Sequence, residues 1–279
     1  MAAKLGLSAD TVVCAGAGDN AAAAVGTGTV GAGGCNISLG TSGTIFISSD
    51  KFGVDPNNAL HSFVHADGGY HLMGCMLSAA SCNKWWSEDI LTTTDFATEQ
   101  ATITGDKLGR NHVYFLPYLM GERSPINDTN AWGAIVGMTM DTTRADMTQA
   151  MLEGVAFAIR DSFEVARDLG VDIPRSNICG GGSKSRLWRV MVANILGIPL
   201  DMVTTEQGPG YGAAILAMVA TGKFPTVQAA CDALVSVADT LEPDPELTAR
   251  YEDRYQQFRQ IYPAMKSLFS KLHESAERI

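Results

Sequence analysis

The sequence predicts an α/β protein with a mixed sheet flanked by helices, and three features of the pattern carry that expectation. The first third alternates short β-branched or aromatic runs with Gly, Asp-Pro and Asp-Gly breaks, as strands joined by tight turns do. A long amphipathic helix comes next. After it, strand, glycine-rich turn and helix follow one another, an order that builds a parallel layer.

In chain order, "TVVCAG" from Thr11 to Gly16 reads as the first strand, followed by "CNISLG", "TIFISS", "LHSFVH" and "YHLMGC". Residues 76 to 90 read as a helix carrying Trp85 and Trp86, and "VYFLPYL" and "GAIVGM" return to the strand pattern. The strongest helix covers 147 to 169, where Met147, Met151, Val155, Ile159 and Phe163 recur every fourth residue, and Gly170 supplies its stop. "SNICGGG" is then a strand into glycines, "SRLWRVMVANILG" a helix, "IPLDMV" a strand and "GYGAAILAMVATG" a helix. From Thr226 onward the chain reads as helical, punctuated by Pro243, Pro245 and Pro263. This order fits an open sheet of the ribonuclease-H-like or actin-like kind, although periodicity alone does not single that fold out.

With 46% apolar and 18% charged residues, the 279-residue chain can bury a substantial core. A net charge of -10 argues against a general nucleic-acid or anionic-membrane surface, because phosphates attract clustered Lys and Arg. The six cysteines are far apart, with no C-x-x-C pair, and read as reduced and mostly buried thiols. No secretory leader is evident, so the N-x-S/T triplets at Asn36 and Asn127 are taken as chance. No apolar run approaches the roughly 20 residues that cross a bilayer. The expected location is the cytoplasm.

The motifs that carry chemistry each have a plain alternative. "GTGTVG" from Gly26 to Gly31 matches G-x-G-x-x-G, with Asp50 beyond it, but it follows the helix-prone alanine run instead of a strand, so it reads as a helix end and a turn. No Walker-type phosphate loop is present. "LGTSGT", residues 39 to 44, lies between two strands, where its turn can present N–H groups and hydroxyls to an anion or simply close a hairpin. "GGGSKSR", residues 180 to 186, lies between a strand and a helix, where glycines admit a flat ligand or merely satisfy packing. Asp19, before "NAAAAV", is placed either to cap a helix or to take a proton from a hydroxyl. His61 and His65 read as structural or substrate-side residues and not metal ligands, and Trp85 and Trp86 as core or as a platform for adenine.

Together these pieces resemble the FGGY family of carbohydrate kinases, and within it most closely the bacterial xylulokinases. The sharpest match is "GAIVGMTMDTTRADMTQAMLE", Gly133 to Glu153, which satisfies the family's second signature, including Gly137, Asp146, Ala150 and Glu153. "AGAGDNA", "LGTSGT", "HSFVHADGGYHLMGCMLSAASC", "FLPYLMGERSP", "GGGSKSR" and "GPGYGAAILA" follow the family's order. The resemblance implies an actin-like ATPase fold and ATP-dependent phosphorylation of a sugar hydroxyl, with D-xylulose converted to its 5-phosphate. Another sugar kinase, for gluconate or ribulose, and a non-catalytic nucleotide-binding module are the alternatives.

By the same resemblance Asp19 is the catalytic base and touches the sugar with Asn20. Gly40, Thr41, Ser42 and Gly43 form a phosphate loop, and Gly181, Gly182, Ser183 and Arg186 bind the nucleotide. ATP is the implied cofactor, with Mg²⁺ carried by the nucleotide and no metal held by the protein. Residues 1–279 then correspond to the carboxy-terminal, nucleotide-side domain with a helical extension. The family's amino-terminal domain lies before "AGAGDNA" and is the expected partner, beside the sugar, ATP or ADP, and a second copy in a homodimer. The chain is expected to be a fragment or a shortened gene product with little sugar kinase activity alone.

Overall fold

The protein is described by a computed structural model that covers residues 2–205 and 207–276. Its elements run in chain order as α1 (Asp19–Gly26), β1 (Cys35–Leu39), β2 (Gly43–Ser49), β3 (His61–Val64), β4 (Tyr70–Met76), α2 (Ala80–Lys84), α3 (Phe96–Ala101), β5 (Tyr114–Leu116) and β6 (Ala134–Val136). They continue as α4 (Arg144–Asp168), β7 (Ser176–Cys179), α5 (Arg186–Leu196), β8 (Leu200–Val203), α6 (Gly208–Ala220), α7 (Val227–Leu234), β9 (Val237–Leu241) and α8 (Pro245–Ala276).

Seven strands form one mixed sheet in the order β3-β4-β2-β1-β7-β8-β9. β1, β2, β4 and β3 are antiparallel neighbours, whereas β1, β7 and β8 run parallel, as the strand-glycine-helix order requires. Strand alternation gives the sheet two packed faces. Ile45 and Ile47 point into the main core with Val155, Ile159 and Phe163 of α4, while Phe46 between them packs on Ala21 and Ala24 of α1. β5 and β6 make a separate two-stranded ribbon against α4.

α1 and α6 pack on the second face at very short range. A Cβ on Gly212 would stand 1.8 Å from the Ala22 carbonyl oxygen, so the alanine run and the α6 glycines are a packing device. α4 starts three residues before the periodicity shows it, because Thr143 and Asp146 form a capping box. Thr143 Oγ1 accepts the Asp146 N–H at 3.2 Å and Asp146 Oδ2 accepts the Thr143 N–H at 2.9 Å.

Several expectations fail for identifiable reasons. Thr11 to Gly16 is not a strand. Val12 and Val13 are 57% and 92% exposed, and no strand of the described sheet pairs with them, so β propensity goes unused. Met76 belongs to β4, and the helix that follows is short, widening into a π-helical turn at Trp85–Ile90. The tail is not wholly helical, since β9 pairs antiparallel with β8. Pro263 does not interrupt α8, whose buried Tyr255, Phe258 and Phe269 hold the helix on both sides of it. The thiols are less buried than expected: Cys35, Cys82 and Cys231 are buried, and Cys14, Cys75 and Cys179 half-buried.

Candidate active site

The two glycine-bearing turns of the sequence meet at the carboxyl ends of β1 and β7. A Cβ on Gly180 would lie 2.7 Å from the Leu39 carbonyl carbon, and one on Gly182 2.7 Å from Leu39 Cγ and 2.9 Å from the Trp188 ring. These two glycines are therefore packing glycines that bring the turns together. Gly181 differs, because a side chain there would meet nothing within 4 Å, and it faces open space. Packing and ligand approach thus divide among three neighbours.

Between the turns opens a cleft of about 1060 Å³. Gly40 and Thr41 stand on one side of it, and Gly181, Gly182 and Arg186 on the other. Its apolar wall includes Phe96, Ile103 and Trp188, and its polar groups include Ser81, Asn83 and Gln100. Gln100 Oε1 accepts the Ser185 hydroxyl at 2.5 Å, and Ser185 also caps α5 by accepting the Trp188 N–H at 3.1 Å. The buried Oδ1 of Asn83 and Oγ of Ser81 have no partner among the described residues, the state of polar atoms open to a ligand or water.

The Gly40–Ser42 turn is held by its carbonyls. Gly40 O accepts the Ala80 N–H at 2.8 Å, and Thr41 O accepts those of Ala79 and Ser81 at 3.0 and 3.2 Å. Gly40, Thr41 and Ser42 donate none of the turn bonds found among the described residues. Ser42 and Ser183 do not line the cleft. Ser183 Oγ donates to Gly180 O at 2.7 Å, and Gly43 is buried at the start of β2.

Asp19 is outside the cleft lining, exposed at the first residue of α1. Gly18 occupies the cap position and no side chain caps the helix. Asp19 Oδ1 accepts the Asn20 backbone N–H at 2.9 Å and its amide at 3.4 Å. The helix-capping role is therefore not the one Asp19 fills. Its electrostatic neighbour is Cys75, whose thiol is pushed up by burial and further by Glu122 and Asp19, while Arg123 opposes the rise. Cys75 pairs with Thr44 across β4 and β2, just beyond the Gly40–Gly43 turn. The turn thus borders the cleft and runs into the strand pair that carries Cys75.

Trp85 and Trp86 are core residues: Trp86 Nε1 donates to Thr148 Oγ1 at 2.9 Å, and Trp85 stacks on Phe115. The ring that faces the cleft is Trp188, together with Phe96. His65 is buried with both nitrogens engaged, Nδ1 accepting the Ala66 N–H at 2.8 Å and Nε2 bonded to Thr29 O at 2.9 Å. Among the described residues no helix is long and apolar enough to cross a membrane, and no three His, Cys, Asp or Glu side chains cluster as a metal site would need.

Residues 35–221 match the carboxy-terminal domain of the FGGY family of carbohydrate kinases. The chain belongs to that family. A xylulose kinase of Escherichia coli K12 is 38% identical over 92% of this chain and 53% of its own length. A ligand-bound xylulose kinase and a gluconate kinase, both from Lactobacillus acidophilus and both solved, superpose with TM-scores of 0.89 and 0.88. They are 27% and 26% identical, each alignment covering 97% of this chain and 55% of theirs. The chain thus spans about half the length of the relatives it matches. The family's actin-like fold is the one present, with its mixed sheet between helices.

The family's second signature has a structural explanation here. Asp146 closes the α4 capping box, and Glu153, fully buried, bonds Arg254 at 2.8 Å and Tyr251 at 3.0 Å. Neither touches the cleft.

Proposed function

We propose that this chain is the nucleotide-binding, base-bearing lobe of an ATP-dependent sugar kinase, with D-xylulose as the acceptor and D-xylulose 5-phosphate as the product. The observation that carries the proposal is the turn Gly40–Gly43, walled by the cleft on one side and running into the strand pair that adjoins Asp19 on the other. ATP in the cleft would set its base against Phe96 and Trp188 and run its phosphates along Gly40, Thr41, Gly181 and Arg186 towards Asp19. Asn83, Ser81 and Gln100 are added to the residues expected from sequence.

Asp19 takes the proton of the sugar hydroxyl while that oxygen bonds the γ-phosphorus and the bridge to the β-phosphate breaks. Asn20, beside it, orients the sugar. Mg²⁺ would ride on the nucleotide phosphates and, when bound, would neutralise phosphate charge. The 279 residues alone are expected to bind nucleotide and turn over poorly, because a two-lobed kinase completes its site and excludes water on closure.

The test is ADP release by the two-lobed kinase across a panel of ketoses and aldonates. Expected is a kcat/KM for xylulose at least about tenfold above the rest, the scale of a small difference in pocket contacts. ATP turnover indifferent to every sugar would overturn the kinase assignment. Gluconate is the second reading, since the gluconate kinase superposes as well as the xylulose kinase does.

A further inference from the structure

"PYLMGERSP" sets Glu122 beside Arg123, and the fold sends the two side chains in opposite directions. Glu122 is 1% exposed, and its Oε1 accepts the backbone N–H groups of Leu77 and Arg123, each at 2.8 Å. Its Oε2 is buried without a partner among the described residues. Ser124, fully buried, closes two more bonds onto β4, with Cys75 N–H donating to Ser124 Oγ at 3.0 Å and Ser124 N–H donating to Cys75 O at 2.9 Å. Glu122 and Asp128 exchange backbone bonds at 2.9 Å, which closes the turn on itself.

Arg123, between these two anchors, is exposed and makes no ion pair with a carboxylate among the described residues. Ser124 holds it against Cys75 through two bonds to the Cys75 backbone, and Arg123 and Asp19 bear oppositely on the charge of the Cys75 thiol, Arg123 favouring its ionisation and Asp19 opposing it. A cation held between two backbone anchors therefore acts on the same thiol as Asp19 does, at the end of β4.

We propose that Arg123 binds the phosphoryl oxyanion at the Asp19 end of the site and that Glu122 is its positioning residue. The proposal rests on the kinase reading above. Charge on a transferring phosphoryl group spreads over its equatorial oxygens, and a guanidinium fork can engage two of them at once. A cation whose backbone is already fixed needs little reorganisation when that charge develops. Glu122 does the fixing, because one carboxylate oxygen ties the Arg123 N–H to the Leu77 N–H on the strand end.

Two measurements test this. In the two-lobed kinase, Arg123→Met should lower kcat about 100-fold, the cost of one lost oxyanion donor, with the sugar KM within about threefold and partial recovery by added guanidinium ions. Glu122→Ala should lower kcat by about tenfold or more through the same lost alignment, and Glu122→Gln should recover most of that loss because its carbonyl still accepts both N–H groups. In the 279-residue chain, inorganic phosphate should slow alkylation of Cys75 by iodoacetamide, mapped by peptide mass spectrometry against Cys14, and should fail to do so in Arg123→Met. An active kinase whose Arg123→Met variant keeps normal kcat overturns the proposal and leaves the kinase reading standing. If the two-lobed protein phosphorylates no ketose or aldonate, the kinase reading falls, and phosphate protection of Cys75 alone decides whether Arg123 holds an oxyanion.

Discussion

The two ends of β4 bury ionisable groups in opposite ways. At its start, His71 is 5% exposed and stacks between Phe46 and Phe63, ring centroids 4.0 and 5.4 Å away, with Nδ1 unpartnered among the described residues. Burial, reinforced by nearby His65 and opposed by Asp67, brings it down to about 4, so it is neutral. Just past the other end, burial lifts Glu122 to about 7 against two backbone N–H donors and Arg123, and exposed Asp19 and Arg123 stand close by. At the aromatic end the imidazole is packed between rings. The carboxylate end buries Glu122 but keeps Asp19 and Arg123 exposed, a difference that separates a packed strand end from one with charges at the surface.

The sharpest way to break that contrast is Asp19→Asn. If the carboxylate corner is the reactive one, kcat of the two-lobed kinase should fall about 10²- to 10⁴-fold, the worth of a positioned base. Stability should hardly move. Gly18 holds the cap position and Asp19 bonds only its neighbour, so the loss should stay within about 0.5 kcal/mol, as for other exposed sites. Chemical denaturation beside steady-state kinetics separates the outcomes, and a stable variant with normal kcat would remove Asp19 from the chemistry.

This corner also marks where sequence patterns stop being informative. The βα layer, α4 and the two glycine-bearing turns were legible because each rests on local periodicity or on backbone freedom, whereas the meeting of those turns was not. Asn83, Phe96 and Gln100 were not, since α2 and α3 span only five and six residues and carry no readable period. β9 is exposed apart from Leu241, so no alternation announced it, and Thr11 to Gly16 had strand residues without a neighbouring strand. Local physics left cap and base equal for Asp19, and only the three-dimensional position of Gly18 removed the cap. Glu122 and Arg123 read as a family mark, because their separation into buried and exposed charges depends on contacts 45 or more residues away.

A weaker effect should come from Glu122 itself. A carboxyl raised on folding from 4.5 to about 7 lends stability that is complete below about pH 4.5 and is lost as pH rises through 7. Glu122→Gln removes that dependence while keeping an acceptor for both N–H groups. Relative to wild type, the Gln variant should therefore gain about 3 kcal/mol between pH 4.5 and 8, the free energy of a shift of that size. Urea titrations across that range measure it. A difference that does not vary with pH would mean that Glu122 is already ionised in the folded chain and that burial does not dominate there.

His71 should give the smallest effect, with the opposite sign. Its folded value lies below that of a free histidine, so its contribution is complete above about pH 6.5 and is lost as pH falls towards 4. β3 is an edge strand with Phe63 45% exposed, so local opening can admit water and the loss should be about 2 kcal/mol, less than the full shift implies. His71→Phe keeps a ring against Phe46 and removes the proton site, so relative to wild type it should gain stability as pH falls through this window. The two groups sit at opposite ends of one strand and share no hydrogen bond, so the differences from wild type should add in Glu122→Gln/His71→Phe. If they do not, the two ends of β4 are one electrostatic unit, and the contrast between a packed end and a reactive end fails.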